Sequence, residues 1–541
     1  MMNEQFFLQT PQLVTVVNDN GRTSKQWQGQ QTTVAETKVA YDLTAQGAAV
    51  KISSVVPVSF VRLRWEHHFD SQAQFLADEV ERGYGTMGWQ KLTPNRIMPW
   101  YFMENHGDTT TGYGVMTQPN AFCFWQADPA GITLIMDVRN GGSSVELGDR
   151  QLTLATVVSE KYVHVTSFVA TQRFCHLMSP HPVLPKEPVY GSNNWYYAYG
   201  RSSAKEIVSD TAYLKGLTAG IANRPFMVID DGWQVDHVID GYNGGPWRAG
   251  SAAFPDMGAL AQKIVDQDVK PGIWFRPLLD HREGIPDSWR NPLNGALDPT
   301  VPAVLDRVKG DVAQLCKWGY QLIKHDFTTF DLFGRWGFQM RPFVTTGGWH
   351  FFNKTLTSAE VVKQLYQAIY STAAHYHTLI LGCNTVGHLG AGLMQLARIG
   401  DDTSGKVWER TRQIGINSLA FRLPQDQAFF SIDADCVGIT EQIDWHYNRQ
   451  WAQLVAESGT VLFISAVPGI LTADQRQELH ENLALAAQQS SHFAPQDWQL
   501  IDCPAEWVSG NQVRHYDWYE PTGIQFSDDT PRSIPFYSIA H

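Results

Sequence analysis

The feature that most constrains this chain is an alternation beginning near residue 184. Short apolar runs suited to buried strands are followed by stretches whose apolar residues recur at helical spacing. The strand candidates are VYGSNNW, PFMVIDDGW, KPGIWFRP, YQLIKHDF, TLILGCN, LMQLARIGDD, AFFSIDADC and VLFISA, eight in all. Between them lie SAKEIVSDTAYLKGL, VPAVLDRVKGDVAQLCKWG, TSAEVVKQLYQAIYSTAAH and EQIDWHYNRQWAQLVAESG. In the third of these, Thr357 and Glu360 have the spacing of a capping box. Eight strands alternating with helices predict a (β/α)8 TIM barrel over residues 184–490. Only TVGHLGAG joins the fifth and sixth strands, which leaves no room for a full helix there.

The flanks read differently. In residues 1–183, KVAYDLTAQGAAVKISSVV, GITLIMDV and KYVHVTSFVAT are rich in Val, Ile, Thr and Tyr. Clusters of Gly, Asn and Asp interrupt them, which predicts an N-terminal β-sandwich. The proline-rich SPHPVLPKEPVYG marks the boundary. A helix, ADQRQELHENLALAAQQS, ends the barrel segment, and residues 491–541 read as a small C-terminal β domain. The expected fold class is therefore multidomain, β and α/β.

Composition excludes several kinds of partner. A formal charge of −13, with no Lys/Arg run, repels phosphate backbones and anionic lipid. No apolar run approaches the ~20 residues that span a bilayer. The start, MMNEQFFLQTPQLVTVV, lacks the basic and apolar regions of a signal peptide. Cysteines 123, 175, 316, 383, 436 and 503 could pair, but they form neither a disulfide framework nor a zinc spacing. His67 with His68, and His375 with His377, match no familiar metal site. A reduced, cytoplasmic protein is expected. The 19 Trp, 19 Tyr and 27 Phe supply core, and their faces also suit the C–H faces of sugar rings.

In a TIM barrel the chemistry gathers at the C-terminal ends of the strands. Six of the candidates carry polar or aromatic groups there. These are Trp195 and Tyr196, Asp230 and Asp231, Trp274 with Arg276, Lys324 with Asp326, Cys383 with Asn384, and Arg398 with Asp401 and Asp402. A carboxylate flanked by Lys and Arg is held ionised, and one crowded by carboxylates is pushed the other way. One anionic and one protonated carboxyl across a pocket is the pattern of glycoside hydrolysis. The plainer readings are an Asp-Asp-Gly turn for 230–232, a salt-bridged strand end for Asp326 and a helix N-cap for Asp402.

The motifs IDDGWQ, GIWFRP, LIKHDF and ILGCN…RIGDDT, together with DADC, resemble the α-galactosidases of glycoside hydrolase family 36, in their shorter bacterial form. Motif order and spacing agree over roughly residues 190 to 440. The resemblance implies a β-sandwich, a (β/α)8 barrel and a small C-terminal β domain, the layout already read from the pattern. It implies that Asp326 is the nucleophile and Asp402 the general acid/base of a retaining exo-acting enzyme. It implies that Asp230 and Asp231 grip the galactose 4- and 6-hydroxyls, with Lys324 and Arg398 as sugar-binding cations. Trp274, Trp195 and Tyr196 match aromatics of the sugar pocket, and Cys383, followed by Asn384, lies near the 2-hydroxyl. The two carboxyls should then be roughly 5–5.5 Å apart. No cofactor is implied, the partner is an oligosaccharide of melibiose or raffinose type, and a homo-oligomer is compatible with the chain. His325, Arg276, Asn384 and Thr385 depart from the family pattern. They keep open a related glycosidase for α-N-acetylgalactosaminides or β-L-arabinopyranosides, a transglycosylase, and a binding protein without catalysis.

Overall fold

The computed structural model describes residues 6–282 and 284–524. Two antiparallel sheets, one of six strands and one of eight, form the N-terminal sandwich between Leu13 and Val163. Alternation along the strands drives it. In Val58–Glu66 the residues Val58, Phe60, Leu63 and Trp65 are buried. Inside, Phe7 meets Trp65 edge-on with centroids 5.0 Å apart, and Phe102 stacks on Tyr113 at 4.9 Å. Such pairs add specificity to burial already favourable by about 1.5–3 kcal/mol per large apolar side chain.

One expectation for this region is corrected. KYVHVTSFVAT does not continue as strand: pairing stops at Val163, and a helix runs Ser167–Met178. Thr166 caps it by accepting a bond from the Val169 N–H, so the Thr that suggested a strand instead starts a helix.

The barrel follows the expected order. Its parallel strands are Tyr190–Asn193, Phe226–Ile229, Lys270–Phe275, Leu322–His325, Leu379–Gly382, Leu396–Arg398, Ser431–Asp433, Val437–Ile439 and Leu462–Ala466. The first strand pairs with the last, and Asp433 bridges to Val461. The seventh candidate, AFFSIDADC, is therefore one strand position broken in two. The break lies at Ala434–Cys436, where Asp435 takes the left-handed conformation at φ 80°. Helices Ala204–Leu217, Met257–Val265, Pro302–Lys317, Ser358–His375 and Trp445–Glu457 pack outside. The second of them, capped by Asp256, was not among the predicted helices. The Thr357/Glu360 capping box forms as expected. Between the fifth and sixth strands only a four-residue helix, Gly387–Gly390, fits.

After helix Ala473–Gln488 come three short antiparallel strands, Ala494–Pro495, Glu506–Ser509 and Gln512–His515. The rest of the expected C-terminal domain, residues 525–541, lies outside the described residues. Among the described residues no helix is long and apolar enough to cross a membrane. All six cysteines are buried and unpaired.

Candidate active site

Strand geometry separates the three consecutive polar residues of YQLIKHDF, Lys324, His325 and Asp326. Side chains alternate faces along a strand. Lys324 points into the barrel mouth and bonds Asp230 at 2.7 Å. His325 points outward against Tyr366 of the Ser358–His375 helix, ring centroids 5.6 Å apart. Burial lowers the His325 imidazole to about 4, so it sits there neutral. Asp326 returns to the mouth. Phe327 then takes φ 60°, which turns the chain sharply out of the strand. Its own N–H bonds Asp326 Oδ1 at 2.7 Å, and Trp274 Nε1 donates to Oδ2 at 3.1 Å. Burial opposes ionisation of Asp326, but Lys324 and then Arg82 outweigh it and hold the carboxyl below the usual range. Asp326 is thus oriented on both oxygens and anionic.

One flank of Asp326 is built wholly from the barrel. Asp230 accepts from Lys324 and, at 2.6 Å, from Asn193. Asp231 accepts from Gln234 at 2.8 Å, and burial pushes its carboxyl up to about 7, opposed by Gln234 and reinforced by Asp230. Arg276 is paired with Asp331, its Nε at 2.9 Å, and stacks 4.1 Å over the Phe327 ring. It braces the loop that follows Asp326.

The other flank is built by two domains. Arg398 lies between Asp435 at 2.9 Å and Asp402 at 3.0 Å, with the Cys383 sulfur 3.7 Å away. Asp435, thrown inward by the break in its strand, also receives the Tyr196 hydroxyl and, at 2.7 Å, the Thr403 N–H. Tyr196 is thereby committed to Asp435 and buried, while its neighbour Trp195 is half-buried. Asp402 is no helix cap, because the next helix begins at Trp408. Its side chain is 46% exposed.

From the sandwich, the segment Phe75–Tyr84 enters the barrel mouth fully buried. Gly83 pairs with Gly400: its N–H bonds the Ile399 carbonyl at 2.7 Å, and its own carbonyl takes the Asp401 N–H at 2.9 Å. A Cβ at Gly83 would lie 2.5 Å from Ser418 Oγ, so a larger residue there would have to displace that hydroxyl. Arg82 then reaches Asp401 at 3.0 Å, Glu81 at 3.2 Å and Asp402 at 3.9 Å. Glu81 also takes the Asn384 amide, whose Oδ1 accepts the Phe330 N–H at 3.1 Å, so Asn384 joins loop to loop. Arg422 anchors the segment, with Nε on Asp78 at 2.9 Å and Nη1 on the Glu81 carbonyl at 2.6 Å.

The charge expected on Asp402 is corrected here. Crowding by carboxylates was to raise it. Desolvation by the surrounding walls of the mouth does oppose its ionisation, but Arg398 and then Arg82 and Lys324 prevail and hold it below the usual range. The raised carboxyl is its neighbour Asp401, through burial. Sequence reasoning overlooked Glu81, Arg82 and the organising role of Asp435. The only signal for the first two was a dense run of charges, DEVER, ahead of GYG in a strand-rich domain.

By sequence, the chain matches no family model and none of the curated proteins. Its fold resembles that of the family 36 α-galactosidases. It is similar to an alpha-galactosidase from Thermus thermophilus, in complex with p-nitrophenyl alpha-D-galactopyranoside, at 15% identity and a TM-score of 0.61, covering 90% of this chain and 99% of that one. It is similar to the GH36 alpha-galactosidase AgaB from Geobacillus stearothermophilus at 12% identity and a TM-score of 0.54, covering 89% and 68%. A GH31 family sulfoquinovosidase from E. rectale is also similar, at 10% identity and a TM-score of 0.57, covering 94% and 87%.

Proposed function

We propose that the chain is a glycoside hydrolase, and specifically a retaining exo-α-galactosidase. The observation that carries this reading is Asp326, held anionic and oriented on both oxygens at the end of the fourth strand, with Asp402 on a neighbouring guanidinium network. Asp326 attacks the anomeric carbon as the glycosidic C–O bond breaks. The bond's electron pair goes to the leaving oxygen, which takes the Asp402 proton. Water, giving its proton to Asp402, then displaces Asp326 and releases the sugar with its configuration retained. Asp230, Asp231, Lys324 and Trp274 line the sugar side, with Trp195, Arg398 and Cys383 around the remaining hydroxyls, while Asn384, expected there, has its amide on Glu81 and its Oδ1 on the Phe330 N–H and acts by holding the loops together. Tyr196 acts through Asp435.

A related α-glycosidase for another sugar is the second reading. It is favoured by the Cys383-Asn384-Thr385 loop, where the Asn384 amide is fixed to Glu81.

The test is hydrolysis of 4-nitrophenyl α-D-galactopyranoside and a panel of other aryl glycosides. Wild type should cleave the α-galactoside, and Asp326→Asn should lose at least ~10³-fold in kcat/KM. Asp402→Asn should lose less on this activated leaving group than on a disaccharide. Cleavage of another glycoside alone would change the sugar and keep the mechanism. Transfer products at high acceptor concentration would mark a transglycosylase. Galactose binding without turnover would sink the enzyme reading.

A further inference from the structure

Resting on the glycosidase reading, we propose that Arg82, delivered by the sandwich, is a positioning residue that sets the working pH of Asp402 by dividing itself between Asp401 and Asp402. In this arrangement Asp402 is set for the second step, in which it takes a proton from water. For the first step it must carry a proton, and something around it must yield.

The groups facing Asp402 come from every wall of the mouth. The cations are Arg398 at 3.0 Å, Arg82 at 3.9 Å and, farther off, Lys324. Arg410 holds its backbone carbonyl at 2.7 Å. The carboxyls are Asp326 and Asp401, and the phenols are Tyr196 and Tyr199.

Arg398 cannot yield. It is buried, tied to Asp435 at 2.9 Å and to the Gly400 carbonyl at 3.3 Å. Lys324 is engaged by Asp230. Arg82 has an alternative. Its closer partners are Asp401 and Glu81, and its contact to Asp402 is the longest of the three. Its guanidinium lies 5.6 Å from the Trp336 ring centre and 6.0 Å from that of Tyr84, surfaces along which it can slide. A small shift toward Asp401 leaves Asp402 with one close guanidinium instead of two, and its proton becomes easier to hold. Asp401 is the counter-charge that makes this shift available, and Gly83 places Arg82 where it can choose.

The experiment compares kcat/KM against pH for wild type, Arg82→Gln, Arg82→Lys and Asp401→Asn. Each is assayed with 4-nitrophenyl α-galactoside, whose leaving group needs little protonation, and with an α-galactosyl disaccharide, whose leaving group needs it. Activity on the disaccharide falls as pH rises through the titration of Asp402. Arg82→Gln should move that alkaline limb up by about one pH unit, with Arg82→Lys in between. Disaccharide turnover at neutral pH should therefore rise several-fold relative to the nitrophenyl substrate. Asp401→Asn should move the limb down, because it removes a neighbouring negative charge and leaves Arg82 free for Asp402. Opposite shifts separate this role from damage to the fold, and Asp401→Asn still decides the matter if Arg82→Gln does not fold. Unmoved limbs, with equal losses on both substrates, would make Arg82 only a staple between domains and overturn the inference. A wild type silent on every glycoside would instead remove the functional reading, and this inference with it.

Discussion

The two flanks of Asp326 are made in different ways. The side around Asp230, Asp231 and Lys324, where we propose the sugar binds, comes entirely from barrel strands and the turns that leave them. The other side, around Asp402, where we propose the leaving group sits, is completed by a segment of the sandwich some 320 residues earlier in the chain. The first needs only a folded barrel. The second needs two folded domains in register, since Arg82 is placed by the Gly83–Gly400 pairing and by Arg422. A site built from one domain depends on that domain alone, whereas one built from two also depends on how they dock, and on the proposal above that docking governs how Arg82 is shared between Asp401 and Asp402.

Three substitutions test that contrast. Asp230→Asn leaves Lys324 buried without its carboxylate and should cost about 3–5 kcal/mol of stability. Denaturant titration should show one cooperative transition moved to lower concentration, and KM should rise, because the damage stays within the barrel. Arg422→Ala attacks the other side. It should cost about 3 kcal/mol, at the lower end because the abandoned Asp78 can take up a proton. Here disaccharide turnover should fall more than turnover of an aryl glycoside, since leaving-group protonation is what becomes misplaced. Equal losses on both substrates would erase the contrast.

The smallest effect has the opposite sign. The Asp231 carboxyl titrates near 7 in the folded protein, against 3.8 as its ordinary value. A raised acid contributes its stability in full below about pH 4 and loses it as pH rises through about 7. Asp231→Asn should therefore stabilise the free protein at pH 8 by on the order of 2 kcal/mol, and by little at pH 4. Melting curves at the two pH values read this directly, and a destabilised variant at pH 8 would refute it. The same variant should bind sugar less well, a trade of stability against function.

The pattern of legibility follows from the same contrast. Asp230, Lys324, Asp326, Arg398 and Asp402 were readable because a barrel places its chemistry at strand ends, within short motifs that also carry the strand's apolar signature. Their order along the chain is their order around the mouth. Arg82 has no such signature. Nothing local distinguishes a charge cluster that will be buried by a distant domain from one that stays in water. The helix Ser167–Met178 was hidden because Thr166 and Val169 suit a strand as well as a capped first turn. The break at Asp435 was hidden because Asp-Ala-Asp reads as a strand end, while the left-handed turn is imposed by Tyr196, Thr403 and Arg398 converging on one carboxylate. The direction of the Asp402 titration was not legible because Arg398, four residues before it, outweighs the neighbouring carboxylates, and Arg82, which no motif announced, adds to it.

The buried segment Phe75–Tyr84 also bears on how the molecule is assembled. During synthesis this stretch leaves the ribosome long before the sixth barrel strand exists. Asp78, Glu81 and Arg82 must then stay hydrated, with no Arg422, Asn384 or Asp401 to meet. The sandwich can close its own core at once, but this edge is finished only when the late barrel arrives and the water is expelled between them. The mouth around Asp326 and Asp402 is therefore complete only once the two domains have docked.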